Sequence, residues 1–230
     1  MTSPCDTCAL RRFGACAKLI GDPVDRFAVS QRSSGTTSRN RYLQNPSHPS
    51  STVMIIRKGW AASVAHSPDG KRQVFEILLP GDVVGGAMLS GSVLWRTVQV
   101  LSDVEFCAFD VHFIKYLMSQ REDIRQGVID VGYQMLMSVQ ERMFDMASRD
   151  AEGKILKFIL DLYDRLEGLG LAVGGVCEFP LRQKTIAEAV GLTDVHVNRI
   201  MSSLRSRRVL WVDDRMLYVP DAKRARKLVA

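Results

Sequence analysis

Between Val53 and Phe109, apolar and polar residues alternate over short stretches: VMIIRK, WAASVAH, KRQVFEILL, SVLWRTVQV and DVEFCAF. Alternation over runs this short predicts strands. Turn formers separate them at Gly59, Pro68-Asp69-Gly70, Pro80-Gly81-Asp82 and Gly85-Gly86. At Pro68-Asp69-Gly70, proline presets φ and glycine accepts the positive φ that a hairpin needs. Strands at this spacing predict an antiparallel β-roll or sandwich. Residues 30–52 are polar and rich in turn formers, so they read as loops and short strands.

From residue 111 to 148 the period becomes helical. Ile129, Gly132, Leu136, Val139, Met143 and Met146 recur at alternating steps of three and four, which is a heptad seam. An ordinary core face gives the same stripe. Here the helix is long and lies between two modules. Arg121, Glu122, Arg125, Gln134, Gln140, Glu141 and Arg142 are placed to solvate its other faces. This favours a parallel homodimer helix. Residues 151–168 form another amphipathic helix, closed by Gly168-Leu169-Gly170.

Residues 182–208, RQKTIAEAVGLTDVHVNRIMSSLRSRR, hold two short helical patterns that meet at Gly191. Ala187 is small enough to let two helices approach. Gly191 takes the left-handed turn, and Val190, Leu192, Val197 and Ile200 pack the corner. Thr193 fits as N-cap of the second helix. That spacing predicts a helix-turn-helix, with VLWVDDRMLYV after it as a β-hairpin wing joined at Asp213-Asp214. His196, Asn198, Arg199 and Ser202 lie where such a helix meets base edges in the major groove. Arg199 can pair with guanine O6 and N7 or hold a phosphate. Asn198 reads adenine or caps locally, and His196 is a weak contact or merely solvated. Arg182, Lys184 and Arg205 suit phosphate clamps, which position without reading sequence.

Charge supports this picture. Of a net +6 over 230 residues, residues 182–227 account for all, with 11 basic and 5 acidic groups. A positive field concentrated at one end predicts a polyanion partner, double-stranded DNA first. No apolar run approaches the roughly 20 residues that cross a bilayer. The N-terminus has no apolar block of signal-peptide length, so the expected location is cytoplasmic, with no membrane partner. No Ser/His/Asp arrangement, paired-carboxylate motif or GxxxxGK[ST] loop supports catalysis. His48, His66, His112 and His196 share no metal-ligand spacing. The chain is not expected to be an enzyme.

The N-terminal arm carries Cys5, Cys8 and Cys16 within 12 residues, and Cys107 lies in the VEFCAF strand. Four thiolates satisfy a [4Fe–4S] cluster or a tetrahedral zinc. A site without metal is the third possibility. Cys107 shares its strand face with Glu105 and Phe109, so it is not an obvious core residue. Cys177 in GGVCEFP reads as a small core residue. Arg11 and Arg12, between the arm cysteines, would offset the charge of a thiolate-bound cluster or simply be solvated.

A β-roll, a long dimer helix and a winged helix-turn-helix in this order resemble the CRP/FNR family of bacterial transcription regulators. Gly59, the Asp69-Gly70 turn, the run Pro80-Gly81-Asp82-Val83-Val84-Gly85 and the helix-turn-helix carry the resemblance, which covers nearly the whole chain. It implies an α+β chain with four parts: a cysteine-bearing arm (1–20), a sensory β-roll resembling cyclic-nucleotide-binding and cupin domains (21–118), a dimerisation helix (119–150) and a winged helix-turn-helix domain (151–230). It implies a homodimer on a partly palindromic site, in contact with RNA polymerase.

Family members that bind cyclic nucleotide carry Gly-Glu and Arg-Ser/Thr-Ala in the phosphate cassette. Here Gly85-Gly86 and Arg96-Thr97-Val98 stand in those places. The carboxylate for the ribose hydroxyl is missing, so cyclic nucleotide is not expected. The cysteines are similar to those of the oxygen-sensing FNR branch, which implies a [4Fe–4S] cluster on Cys5, Cys8, Cys16 and Cys107. The alternative is a cluster-free regulator, constitutive or gated by a small ligand in the roll.

Two positions depart from that branch. Val139 stands where an acidic residue can oppose association, which predicts a dimer even without cluster. Val195 stands where glutamate often accepts from cytosine. Valine can pack on a thymine methyl but accepts no hydrogen bond, so a different half-site is expected.

Overall fold

The computed structural model describes Cys8, Leu10, Cys16 and residues 33–47, 51–92 and 95–229. Cys5, Arg11, Arg12 and His48 lie outside the described residues. The described part forms two compact units. One holds the residues up to 65 and 75–138, and the other holds 66–74 and those from 139 onward.

The roll of the N-terminal unit is built from β1 (Ser33–Thr37), β2 (Tyr42–Gln44), β3 (Thr52–Lys58), β4 (Ala61–His66), β5 (Arg72–Leu78), β6 (Val83–Val84), β7 (Thr97–Val100) and β8 (Val104–Asp110), the β4–β5 hairpin tip being the 66–74 stretch that counts with the other unit. They form two four-stranded sheets, ordered β1-β8-β3-β6 and β2-β7-β4-β5. Antiparallel pairs join β8 to β1 and β3, and β7 to β2 and β4. This is the expected antiparallel roll. Met54, Ile56, Leu78, Val84, Val98 and Val104 are among its buried core. Gly59 turns β3 into β4 at φ 89°, and a Cβ there would overlap the Asp103 carbonyl, so only glycine fits.

The strand pattern predicted by sequence is longer than the strand observed in one place. β7 starts at Thr97, so Trp95 and Arg96 lie outside it. β8 is an inner strand, paired with β1 on one edge and β3 on the other. Val104 and Ala108 on one face and Cys107 and Phe109 on the other are buried, so Cys107, at 7% exposure, is not the ambiguous residue its strand parity suggested.

β8 runs directly into α1 (Val111–Gln120). The Asp110 carboxylate caps it, accepting from the His112 and Phe113 amides at 2.8 and 3.1 Å. The helix expected over 119–150 is instead α2, Glu122–Ser148. Arg121 breaks the line in an extended conformation, φ −134° and ψ 109°. Its guanidinium then binds Asp123 at 2.6 and 2.9 Å, and Glu122 and Asp123 give α2 an acidic first turn. Negative charge there favours a new helix start.

The C-terminal unit contains α3 (Ala151–Gly168), β9 (Ala172–Val173), β10 (Val176–Glu178), α4 (Gln183–Val190), α5 (Asp194–Ser206), β11 (Trp211–Asp213), β12 (Met216–Tyr218) and α6 (Ala222–Lys227). The strands form one sheet, β11-β12-β10-β9. α3 begins where Asp150 accepts from the Gly153 amide at 2.7 Å. It buries Ile155, Leu156, Ile159 and Leu160. Phe179, Ile186, Leu204, Leu210 and Leu217, all below 2% exposure, complete this core.

Candidate nucleic-acid interface

α4 and α5 are the expected helix-turn-helix. α4 ends at Gly191, which takes φ 69° and donates its amide to the Ala187 carbonyl. Thr193 Oγ1 then accepts from the His196 amide at 3.3 Å, so the predicted cap is present. Val197, Ile200, Met201 and Leu204 bury one face of α5. Helical periodicity leaves Val195, Asn198, Arg199, Ser202 and Arg205 on the exposed side. His196 is half-buried, while Arg182, Lys184 and Thr193 at the start of the two helices are exposed. Val195, at 80% exposure, is the most open apolar side chain of the unit.

Electrostatics separate this face from its surroundings. Arg207 pairs with Glu152 at 2.5 Å, and Arg226 pairs with Asp164 at 2.7 Å and Glu167 at 2.9 Å. Those carboxylates hold the Arg226 guanidinium well above its ordinary pKa. Among the described residues, no carboxylate pairs with Arg182, Lys184, Arg199 or Arg205. Unpaired basic side chains therefore gather at α4 and α5, while Arg207 and Arg226 are neutralised by carboxylates.

The wing follows as β11 and β12, with Trp211 opposite Tyr218 and their rings stacked at 5.2 Å. Its turn differs from the expected Asp213-Asp214. Asp213 still belongs to β11, and Asp214 and Arg215 turn the chain at φ 42° and 63°. Two positive φ values match the right-handed twist of a two-residue hairpin. Arg215 is thereby exposed at the wing tip. Its place depends on where the turn closes, which residue type alone does not fix.

The seam residues of α2 are exposed in the single chain. Ile129, Leu136, Val139 and Met143 are 54%, 51%, 52% and 66% accessible, Gly132 is open, and Met146 is 37% accessible. Tyr133 and Phe144 extend the apolar stripe at 62% and 68%. A stripe this wide and this apolar is a surface built to be covered.

The cysteines are placed less completely. Cys8 is half-buried, Cys16, Cys107 and Cys177 are buried, and none of these is in a disulfide. Cys5 lies outside the described residues. Among the described residues, no three of His, Cys, Asp and Glu come together to hold a metal ion, so these residues alone do not build a ligand set. Cys177 packs in β10, where burial and then Glu178 push its thiol up to about 11. At neutral pH it is an inert core thiol.

The N-terminal unit also encloses a cavity of about 570 Å³. Val53, Ile55, Leu78, Val98, Phe109 and Leu117 give it apolar walls, and α2 adds Ile124, Val128, Gly132 and Met135. Its polar groups are Gln44, Glu76, Arg96 and the hydroxyls of Ser63, Ser90 and Ser92. Gly86, at the mouth of the loop after β6, brings no carboxylate.

Comparison with known proteins agrees with both units. Residues 37–121 match the cyclic nucleotide-binding domain family, and residues 153–228 match the Crp-like helix-turn-helix domain family. The chain is 25% identical over 228 residues to the transcriptional activatory protein AadR of Rhodopseudomonas palustris, covering 98% of this chain and 93% of AadR. It is 24% identical over 203 residues to the nitrogen fixation regulation protein FixK of Bradyrhizobium diazoefficiens, covering 87% and 83% of the two chains. The solved structure of FixK2 from Bradyrhizobium japonicum superposes with a TM-score of 0.78 at 20% identity, covering 86% of this chain and 98% of that one.

A roll of the cyclic-nucleotide-binding type followed by a helix-turn-helix defines a DNA-binding transcription regulator. The chain belongs to the CRP/FNR family, whose members are regulators and not enzymes.

Proposed function

We propose that this chain is a homodimeric, sequence-specific regulator that binds a partly palindromic DNA site in the cytoplasm and contacts RNA polymerase there. The observation that carries this is the unpaired basic face of α4 and α5, presented on the chain that also exposes the α2 seam. Ile129, Gly132, Leu136, Val139, Met143 and Met146 cover one another across the dimer axis. Two α5 helices then enter successive major grooves about one DNA turn apart. Arg199 reads a guanine and Asn198 an adjacent base, with His196 and Ser202 beside them. Val195 packs on a thymine methyl. Arg182, Lys184, Thr193 and Arg205 hold phosphates. The effector state shifts the population of dimers whose two α5 helices fit paired half-sites.

Anisotropy titrations with selected duplexes test this. Arg199→Ala is expected to weaken specific binding about 10- to 100-fold and relax one base position. Lys184→Ala is expected to weaken all duplexes alike and lower the salt slope by about one. A dimer that ignores every duplex at low ionic strength, with and without air, overturns the proposal.

For the signal, the spacing of Cys5, Cys8 and Cys16, together with Cys107, supports a [4Fe–4S] cluster that senses oxygen. Anaerobic purification should yield a brown protein with about four irons per chain, bleached by air. A colourless protein after anaerobic reconstitution, or one holding zinc, removes this reading. The cavity favours a second one, a cluster-free regulator gated by a small molecule inside the roll.

A further inference from the structure

We propose that Asp194 sets specificity in the major groove by accepting a hydrogen bond from the N4 amino group of a cytosine. That cytosine lies about two base pairs from the guanine read by Arg199. This deepens the DNA-binding reading above and rests on it.

Residues 182–208 contain two carboxylates, Glu188 and Asp194. Their circumstances are opposite. Glu188 lies on α4 with its side chain 11% exposed, paired with the Arg72 guanidinium. Its backbone carbonyl also accepts from Gln73 Nε2 at 2.6 Å. Asp194 opens α5 and is exposed. Among the described residues, no cation pairs with its carboxylate and no donor bonds to it. The capping role beside it is filled, because Thr193 Oγ1 takes the His196 amide. The helix dipole favours an acidic first turn, but it does not explain a bare carboxylate beside the reading face.

Helix geometry puts this carboxylate among the readers. Each Cα–Cβ bond tilts toward the helix N-terminus, so first-turn side chains project furthest from that end. Asp194 and Asn198, four residues apart, form one exposed row, and Val195 and Arg199 form the next. Val197, Ile200, Met201 and Leu204 turn a different side into the core. Five residues at 1.5 Å each set Asp194 about 7.5 Å from Arg199 along the axis, roughly two base steps of 3.4 Å.

In the major groove such a group meets acceptors almost everywhere. Guanine offers N7 and O6, thymine offers O4, and adenine places N7 beside its N6 donor. Cytosine alone presents a donor, N4, with no acceptor of its own beside it. A carboxylate only accepts, and the phosphates are anionic as well. Asp194 is therefore matched to cytosine and opposed by the alternatives. Arg199 adds affinity, whereas Asp194 mainly rejects wrong sequences, which is how repulsion builds specificity.

Selection from randomised duplexes, run with the parent, Asp194→Ala and Asp194→Asn, tests this. The parent is expected to enrich a cytosine about two base pairs from the guanine whose preference disappears in Arg199→Ala. Asp194→Ala should lose the cytosine and keep the guanine, and Asp194→Asn should turn the preference toward adenine. On the parent's own duplex, that cytosine can be replaced by 2-pyrimidinone, which lacks the amino group. The exchange should weaken the parent about tenfold and Asp194→Ala less than about twofold. Random duplex at low salt should bind Asp194→Ala about two- to threefold more tightly than the parent, because one repelling charge is gone. A carboxylate that serves only the fold gives the reverse, with equal sensitivity to the analogue and looser binding to every duplex. The proposal falls if Asp194→Ala selects the parent's sequence, or if both proteins lose equally on the analogue. A parent that binds no duplex removes the regulator itself. A parent that binds while Asp194→Ala matches it in selection removes only this contact.

Discussion

The two units solve burial differently. In the C-terminal unit Ile159, Phe179, Leu204, Leu210 and Leu217 are 0% exposed, and Arg207 and Arg226 are paired with carboxylates. The N-terminal unit keeps a cavity of about 570 Å³ and leaves the buried Gln44 Nε2 without a partner. A reader of DNA gains from rigidity, because base contacts demand fixed geometry. A sensor gains from a place where a ligand adds contacts the empty fold lacks, since an effector shifts a population only by its differential affinity.

Paired truncations would break or sharpen this contrast most. Leu204→Ala in the closed core is expected to cost about 3–5 kcal/mol, read by chemical denaturation. Leu117→Ala, whose side chain already borders a void, should cost about 2 kcal/mol or less. Equal losses would mean that the cavity closes in solution.

Next in size is the seam. Val139→Glu places a carboxylate on a face meant to be covered, and should weaken the dimer about 100-fold, roughly 3 kcal/mol, in sedimentation. The parent, stripped of metal, should remain a dimer at micromolar concentration. A clean monomer there would show that Val139 does not supply the association expected of it.

A smaller effect of opposite sign is expected at Gln44. Gln44→Leu removes an unpaired buried donor, and should stabilise the ligand-free protein by about 1–2 kcal/mol in thermal melts. Destabilisation would mean that the amide is satisfied within the fold.

The smallest effect separates an inert thiol from a reactive one. The Cys177 thiol is raised by burial from 9.0 to about 11, so the folded chain holds this proton more tightly than the unfolded one. Its contribution to stability is complete below pH about 9 and is lost as pH rises through about 11. Melting temperature between those values should fall faster for the parent than for Cys177→Ala.

Much of the interface was legible in the chain. The Gly191 turn, the Thr193 cap and the heptad stripe depend on residues within a few positions of one another, so periodicity and residue type were enough. The break at Arg121 was less legible, because an unbroken helical period runs across it and only a local ion pair marks the new start. The wing turn moved by one residue, since hairpin closure is set by cross-strand pairing.

The remainder depended on partners far along the chain. Cys107 is buried by what packs over its face of the sheet, and its parity on one strand could not say so. The pairing of Gln44 with Val98 and of Val98 with Ser63 joins three separate segments into one polar row. Whether an arginine is neutralised, as Arg207 is by Glu152, also depends on a residue more than fifty positions away. Local periodicity thus determined the helices of the helix-turn-helix, the Thr193 cap and the outward face of α5. Long-range packing alone decided which side chains are enclosed, which charges are paired, and where the fold leaves room.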